Sequence, residues 1–233
     1  MRFGLIGAMA EEVELLRKNL NGVEETEAGG AHFYHGTLAG AEAVLLRSGI
    51  GKVNAAIGAT LLIDRFWPDA IINTGSAGGT DPRLDIGDVV ISSGVRYHDV
   101  DATAFNYAPG QVPGMPAIFR PDAQLAATAK RAAEATSDRR IVSGEIGTGD
   151  SFMADPERIA ALRRTFPNVK AVEMEGAAIA QVCDQFGVPF LVVRALSDIA
   201  GKDSEISFDR FLHTAAKHSA RFVIELVKEL AKA

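Results

Sequence analysis

The feature of this 233-residue chain that most restricts its fold is the regular alternation of short apolar runs with amphipathic stretches. Phe3–Gly7 reads as a buried strand, and Ala10–Leu20 follows as a helix with Val13, Leu16 and Leu20 at i, i+3 and i+7. His32–Leu38 and Ala43–Ser48 read as strands, Lys52–Phe66 as a helix stopped by Pro68, and Ala70–Thr74 and Asp88–Val95 as strands. Downstream the pattern predicts helix Asp122–Ala135, strand Arg140–Gly147, helix Pro156–Thr165, strand Lys170–Val172, helix Gly176–Phe186 and strand Pro189–Ala195. A last helix is expected over Phe208–Leu230, with Phe211, Leu212, Ala215, Phe222, Val223 and Leu226 on its apolar stripe. Strands separated by helices pair in parallel, because each crossover returns the chain to the same end of the sheet. The expected fold class is therefore α/β, a single layered domain over residues 1–233, with a central mixed, mostly parallel sheet flanked by helices. In such folds ligands bind beyond the carboxyl ends of the strands.

One segment breaks the pattern. Residues 97–120 hold Pro109, Pro113 and Pro116 with Gly110 and Gly114, and no clean period. An excursion of this length inside one domain is expected to be functional or held by a partner.

Charge narrows the partners. With 24 basic and 30 acidic residues the net charge is -6, and no run of five like charges occurs. Nucleic acid and anionic membranes, which are bound through clustered Lys and Arg, are not expected as partners; a small neutral or cationic molecule is. The Val188–Val193 run is strand-length, far below the ~20 residues of a membrane span. Cys183 is the only cysteine, so no internal disulfide forms, and it reads as a small core residue. The apolar run at Met1–Gly7 is too short for a signal peptide, and the expected compartment is the cytoplasm.

The strand ends hold the polar residues that carry chemistry. After the first strand come Glu11 and Glu12, two acids at a helix start, where they complement the positive end of its dipole. Thr74–Gly79 reads as a glycine turn that lets backbone approach a ligand; it lacks the lysine of a phosphate loop and the spacing of a dinucleotide fingerprint. Glu173, Met174 and Glu175 follow a short apolar strand, and alternation puts the two carboxylates on one side unless the backbone turns between them. Arg194 stands inside a buried run and needs an acid beside it; that run stops on Ser197-Asp198, where Asp198 alone reads as a turn residue or helix cap. His32 and His35 lie three apart on a strand and face opposite ways, while His98, Asp99 and Asp101 lack ligand spacing, so no metal and no cofactor is expected. Ser76 has no triad around it in sequence.

Taken in order, Ile6–Glu12, Ser48–Ala55, Thr74–Gly79, Tyr97–Asp99, Ala104-Phe105, Gly149–Phe152, Val172–Glu175 and Arg194–Asp198 resemble the 5'-methylthioadenosine/S-adenosylhomocysteine nucleosidases. These belong to the purine nucleoside phosphorylase superfamily, and the resemblance covers the whole chain. It implies a nucleoside phosphorylase-like fold and a homodimer. The expected activity is hydrolysis of the N-glycosidic bond of 5'-methylthioadenosine and S-adenosylhomocysteine, and of 5'-deoxyadenosine, releasing adenine.

The resemblance also implies roles. Glu12 would activate water, held by Ser76 and Arg194; Glu175 would accept from the ribose hydroxyls, with Met174 under the sugar. Asp198, positioned by Ser197, would protonate adenine N7, with Phe152 stacked on the purine and the backbone of Met153 reading its edge. Met9, Ile50 and Phe208 would form the slot for the 5'-thio group. Ala102, Phe105, Tyr107 and Pro113 belong to the loop, 97–120, that completes the neighbouring subunit's site. Met153 stands where related chains often carry a β-branched aliphatic residue, and Ala102 where the residue is often larger. Donation to N7 needs Asp198 protonated at working pH, which burial or acids such as Glu175 would favour. Two alternative activities share these contacts, an aminodeoxyfutalosine nucleosidase and a phosphate-dependent phosphorylase, and a non-catalytic nucleoside-binding protein is the alternative from another class. Phosphorolysis would need several cationic donors where the chain offers Glu12 and Arg194.

Overall fold

The alternation folds largely as read. The computed structural model describes residues 1–136, 139–201 and 204–232. Arg2–Gly7 (β1) leads into helix Ala10–Asn19 (α1), then Asn21–Ala28 (β2), Ala31–Leu38 (β3) and Ala41–Arg47 (β4) form a meander. Helix Lys52–Phe66 (α2) ends where Trp67 takes a left-handed conformation (φ 48°), since the residue before Pro68 is kept out of the helical region. Ala70–Asn73 (β5) and Ser76–Gly79 (β6) run almost end to end, and Val89–Tyr97 (β7) follows. After the excursion come Ala123–Thr136 (α3), Ile141–Thr148 (β8), Pro156–Thr165 (α4), Val169–Glu173 (β9), Gly176–Phe186 (α5), Phe190–Ile199 (β10) and Ser204–Leu230 (α6). Helix α4 starts on Asp155, whose carboxylate accepts from the Glu157 and Arg158 amides, with Pro156 in the first turn.

The ten strands lie in the order β2-β3-β4-β1-β5-β10-β6-β9-β8-β7, mostly parallel, and a further antiparallel pairing joins β7 to β10. That last pairing is a departure from the expected layered sheet: its right half closes on itself. The bend lies at Thr74-Gly75, where β6 leaves the line of β5, stays on β10 and pairs with β9. One apolar core, with Leu5, Leu45, Ile72 and Leu191, is covered by α1, α3 and α6; the other, with Ile6, Leu46, Ile71 and Val192, is covered by α2 and α5.

Three local expectations are corrected, and one strand is added. Strand β2 has no apolar alternation and is exposed almost throughout; it is held by backbone bonds to β3, which sequence period does not report. Ser76–Gly79 is a strand and not a turn, and β10 continues through Ser197 and Asp198 to Ile199, so Asp198 is neither turn nor cap. Tyr97 belongs to β7, and the excursion after it is ordered by a 3-10 turn at Thr103–Phe105, a Gly110 amide bond to the Val100 carbonyl and a bridge between Phe119 and Val95. Cys183 is buried in the core, and burial pushes its thiol up to about 12.

Candidate active site

The carboxyl ends of β1, β9 and β10, with Ser76–Gly78 of β6 between them, surround a cavity of about 230 Å³. Glu12, in the first turn of α1, folds back into it and is 4% exposed. One carboxylate oxygen accepts from the Ala8 and Met9 amides at 2.9 and 3.2 Å, the other from the Ser76 amide and hydroxyl at 2.8 and 2.9 Å. Four donors converging on it suit an acceptor-only carboxylate.

Asp198 is 2% exposed and accepts from the Ser197 hydroxyl at 2.9 Å. The register of β10 against β6 slips between Leu196 and Asp198, leaving Ser197 as the extra residue. Such a bulge re-aims side chains, which is why two adjacent residues of one strand both face the cavity. The glycines of β6 and its bend are explained by the same two acids. A Cβ at Gly75 would lie 2.6 Å from the Glu12 carboxylate, and one at Gly78 3.0 Å from that of Asp198. The glycines read as leaving room for a ligand leave room for these two acids.

Strand alternation does not relate Glu173 and Glu175. The strand stops at Glu173, and Glu175 is already the N-cap position of α5. Glu173 caps that helix through the Glu175 and Gly176 amides at 3.0 and 2.7 Å, and pairs with the Arg194 guanidinium at 2.5 Å. Thr148 adds a hydroxyl bond to it. Glu175 accepts from the Gly51 amide at 2.8 Å. Burial, then the charge of Glu173, raises the Glu175 pKa above the ordinary carboxylate range.

Arg194 has the buried acid it needed. It is 2% exposed, and besides Glu173 it reaches the Asn73 side chain at 2.6 Å and the Val193 carbonyl at 3.1 Å. It does not line the cavity, whereas Ser76, Met174 and Ser197 do. Asn73 was missed by the sequence reading, although an amide side chain in the run Ala70–Thr74 signals a buried polar partner. Met9, Ile50 and Phe208 line one wall together with Phe152, whose ring meets that of Phe208 edge-on at 5.7 Å. Met153 lines a small extension of about 40 Å³ beside Gly78, Met174 and Asp198.

Ala102, Phe105, Tyr107 and Pro113 do not line this cavity. Phe105 is 78% exposed, and Ile50, Val53 and Ile57 form an exposed apolar stripe at the start of α2. His32 lies near Glu25 and Glu27, and His35 bonds Glu42 at 2.9 Å, both on the meander. Among the described residues no group of three or more His, Cys, Asp or Glu side chains is placed to hold a metal ion. A wider groove of about 620 Å³ opens at the opposite end of β9, beside Lys170, Arg163 and an Arg83–Asp81 pair. Among the described residues no helix is long and apolar enough to cross a membrane.

The phosphorylase superfamily pattern matches residues 2–228. A 5'-methylthioadenosine/S-adenosylhomocysteine nucleosidase of Bacillus thuringiensis (strain Al Hakam) is 56% identical over 230 residues, covering 99% of this chain and all of that protein. The crystal structure of a nucleosidase of the same kind from Colwellia psychrerythraea 34H, in complex with adenine, superposes with a TM-score of 0.96 at 50% identity, covering 99% of this chain and 96% of that one. The Neisseria meningitidis nucleosidase in complex with methylthio-immucillin-A gives a TM-score of 0.96 at 50% identity, covering 97% of this chain and 98% of that one.

Proposed function

The chain belongs to the phosphorylase superfamily and, within it, to the 5'-methylthioadenosine/S-adenosylhomocysteine nucleosidases, and on that premise we propose that Glu12 activates water while Asp198 protonates the departing adenine at N7. The water oxygen bonds to the anomeric carbon as the bond from that carbon to N9 breaks. The bonding pair goes to the purine, the Asp198 proton to N7, and a water proton to Glu12. Adenine and the 5-thioribose leave as neutral molecules.

One observation carries this reading: both buried carboxyls reach a single cavity by way of β6, Glu12 at Ser76 and Asp198 at Gly78. Two residues along a strand are roughly 6.5 Å, a separation that leaves a water and a glycosidic bond between a base and an acid. Glu175, at the cavity and held by the Gly51 amide, is placed to accept from ribose hydroxyls, with Met174 beneath the sugar. A carboxylate close to the ring also stabilises the cationic sugar of the transition state. Phe152 stacks on the purine, Met153 presents its backbone to the base edge, and Ser197 holds Asp198 in place. Met9, Ile50 and Phe208 take the apolar 5'-substituent, worth about 1–3 kcal/mol for a methylthio group. This slot also fits 5'-deoxyadenosine, and disfavours a 5'-hydroxyl.

Hydrolysis is favoured over phosphorolysis by charge. The water side of the cavity presents Glu12, and Arg194 is committed to Glu173, so a phosphate dianion finds repulsion and no free guanidinium there. Ser76 then orients the water, and Arg194 acts on it through the field of the Glu173 pair. The exposed stripe of Ile50, Val53 and Ile57 with Phe105 supports a homodimer in which Ala102, Phe105, Tyr107 and Pro113 complete the partner's site. A single free, buried cysteine fits a cytoplasmic protein.

The test is adenine release from 5'-methylthioadenosine, followed by chromatography with and without phosphate, beside an Asp198→Asn variant. Release independent of phosphate, falling about 10²–10⁴-fold in the variant, is expected. Release that requires phosphate would assign a phosphorylase, and no release would send the search to a futalosine-type nucleoside.

A further inference from the structure

Helix α2 has no side-chain cap of its own. Its first amides are taken by carboxylates from elsewhere: Gly51 N–H donates to Glu175 at 2.8 Å, and Lys52 N–H donates to Asp150 at 2.8 Å. Asp150 stands two residues before Phe152, in the loop after β8. The Lys52 ammonium then reaches Asp99 at 2.7 Å and the second Asp150 oxygen at 3.8 Å, and lies 5.5 Å from the centre of the Tyr97 ring. The knot is closed by the Asp150 amide, which donates to the same Asp99 oxygen at 3.0 Å. Three segments meet here: the start of α2 with Ile50, the loop with Phe152, and the start of the 97–120 excursion.

We propose that Asp150 is a positioning residue: by capping α2 and sharing Lys52 with Asp99, it keeps the Gly51 amide on Glu175 and holds Phe152 over the cavity in the same frame. This rests on the reading of Glu175 and Phe152 as sugar and purine contacts. Stability is a poor explanation for the cluster. The side chains of Lys52, Asp99 and Asp150 are 24, 26 and 47% exposed, and ion pairs so open to water contribute little to folding. Geometry is the better one, since a carboxylate at a helix N-terminus is directional and satisfies amides that otherwise lack partners. Asp150 touches no part of the cavity itself, so it acts only through the residues it holds.

The experiment compares wild type with Asp150→Ala, Asp150→Asn and Lys52→Met in two ways. In steady-state kinetics with 5'-methylthioadenosine, Asp150→Ala should raise KM about tenfold while kcat changes by less than about threefold, and Asp150→Asn, whose amide oxygen still caps the helix, should recover most of the loss. Lys52→Met should fall between them. In amide hydrogen exchange without any substrate, the Gly51 and Lys52 amides should exchange about tenfold faster in Asp150→Ala and near the wild-type rate in Asp150→Asn. A lower melting temperature with unchanged KM, or unchanged exchange at those two amides, would overturn the proposal. A wild type that releases no adenine would remove the functional reading, and the exchange comparison would still decide whether Asp150 holds α2 and Glu175 together.

Discussion

In the wing of the sheet built from β2, β3, β4 and β1, the buried side chains are Phe3, Leu5, Phe33, Leu45 and Leu46, and charge stays on the outside at Glu24, Glu25 and Glu27. In the ring closed by β10, β6, β9, β8 and β7, the buried positions include Ser92, Glu145, Thr148, Glu173, Arg194, Ser197 and Asp198. Both are sheet, and both are close-packed. They differ in what specifies them. Apolar contacts in the wing are numerous, weak and non-directional, so no single one fixes the geometry. Each buried polar group in the ring needs a partner at one distance and angle, so the ring's shape is dictated by a few strong constraints. Most of the cavity's polar lining, Ser76, Glu173, Glu175, Ser197 and Asp198, comes from the ring or the ends of its strands.

The sharpest way to break this contrast is to remove one ring constraint. Arg194→Met leaves Glu173 charged and unpaired in the interior, and unfolding by denaturant should show a loss of about 3–5 kcal/mol. Adding Glu173→Gln should restore more than half of it; a single variant losing under about 1 kcal/mol would put the ring on the wing's footing. Leu45→Ala in the wing should cost about 3 kcal/mol through the cavity it leaves, with KM for the nucleoside unchanged within about twofold. A large KM change there would show that the wing, too, sets the site. The smallest effect concerns pH. Burial and Glu173 raise the Glu175 pKa, so the folded state holds that proton more tightly than the unfolded chain. Stability without ligand should therefore fall as pH rises from about 4.5 through the raised value. Glu175→Gln should flatten that slope and stabilise the protein at pH 8 by on the order of 1 kcal/mol, whereas Leu45→Ala should leave the slope intact.

The wing's strands β1, β3 and β4 and all six helices were legible because burial writes a period into the sequence. Helices Lys52–Phe66, Pro156–Thr165 and Gly176–Phe186 have the bounds read from pattern, stops and caps. Strand β2 was not legible, because both its faces meet water and it is held chiefly by backbone bonds to β3. Closure of the ring was not legible either: it depends on pairing between β7 and β10, about a hundred residues apart, and on a bend at Gly75 that looks like any glycine turn. Of the site, the acids stood out as charges at strand ends. Their arrangement did not, because the bulge at Ser197 and the turn at Glu175 both cancel the alternation from which facing is inferred. The trans cap on α2 by Asp150 lies 98 positions away in sequence, and no local signal marks it.

Closing β7 onto β10 also bears on how copies of this chain behave at high concentration. A sheet with two open ends offers two rows of unpaired amides and carbonyls to any neighbouring strand. Here β10 covers the right-hand end at Val89–Ile91 and Phe119 bridges it at Val95, so among the described strands β2 is the one left as an open terminal strand. That strand carries three glutamates and an irregular register near Asn21, so an approaching copy meets like charge and a poor template. Protection against edge-to-edge aggregation is thus divided between topology at one end and electrostatic repulsion at the other, and only the second weakens in acid or high salt.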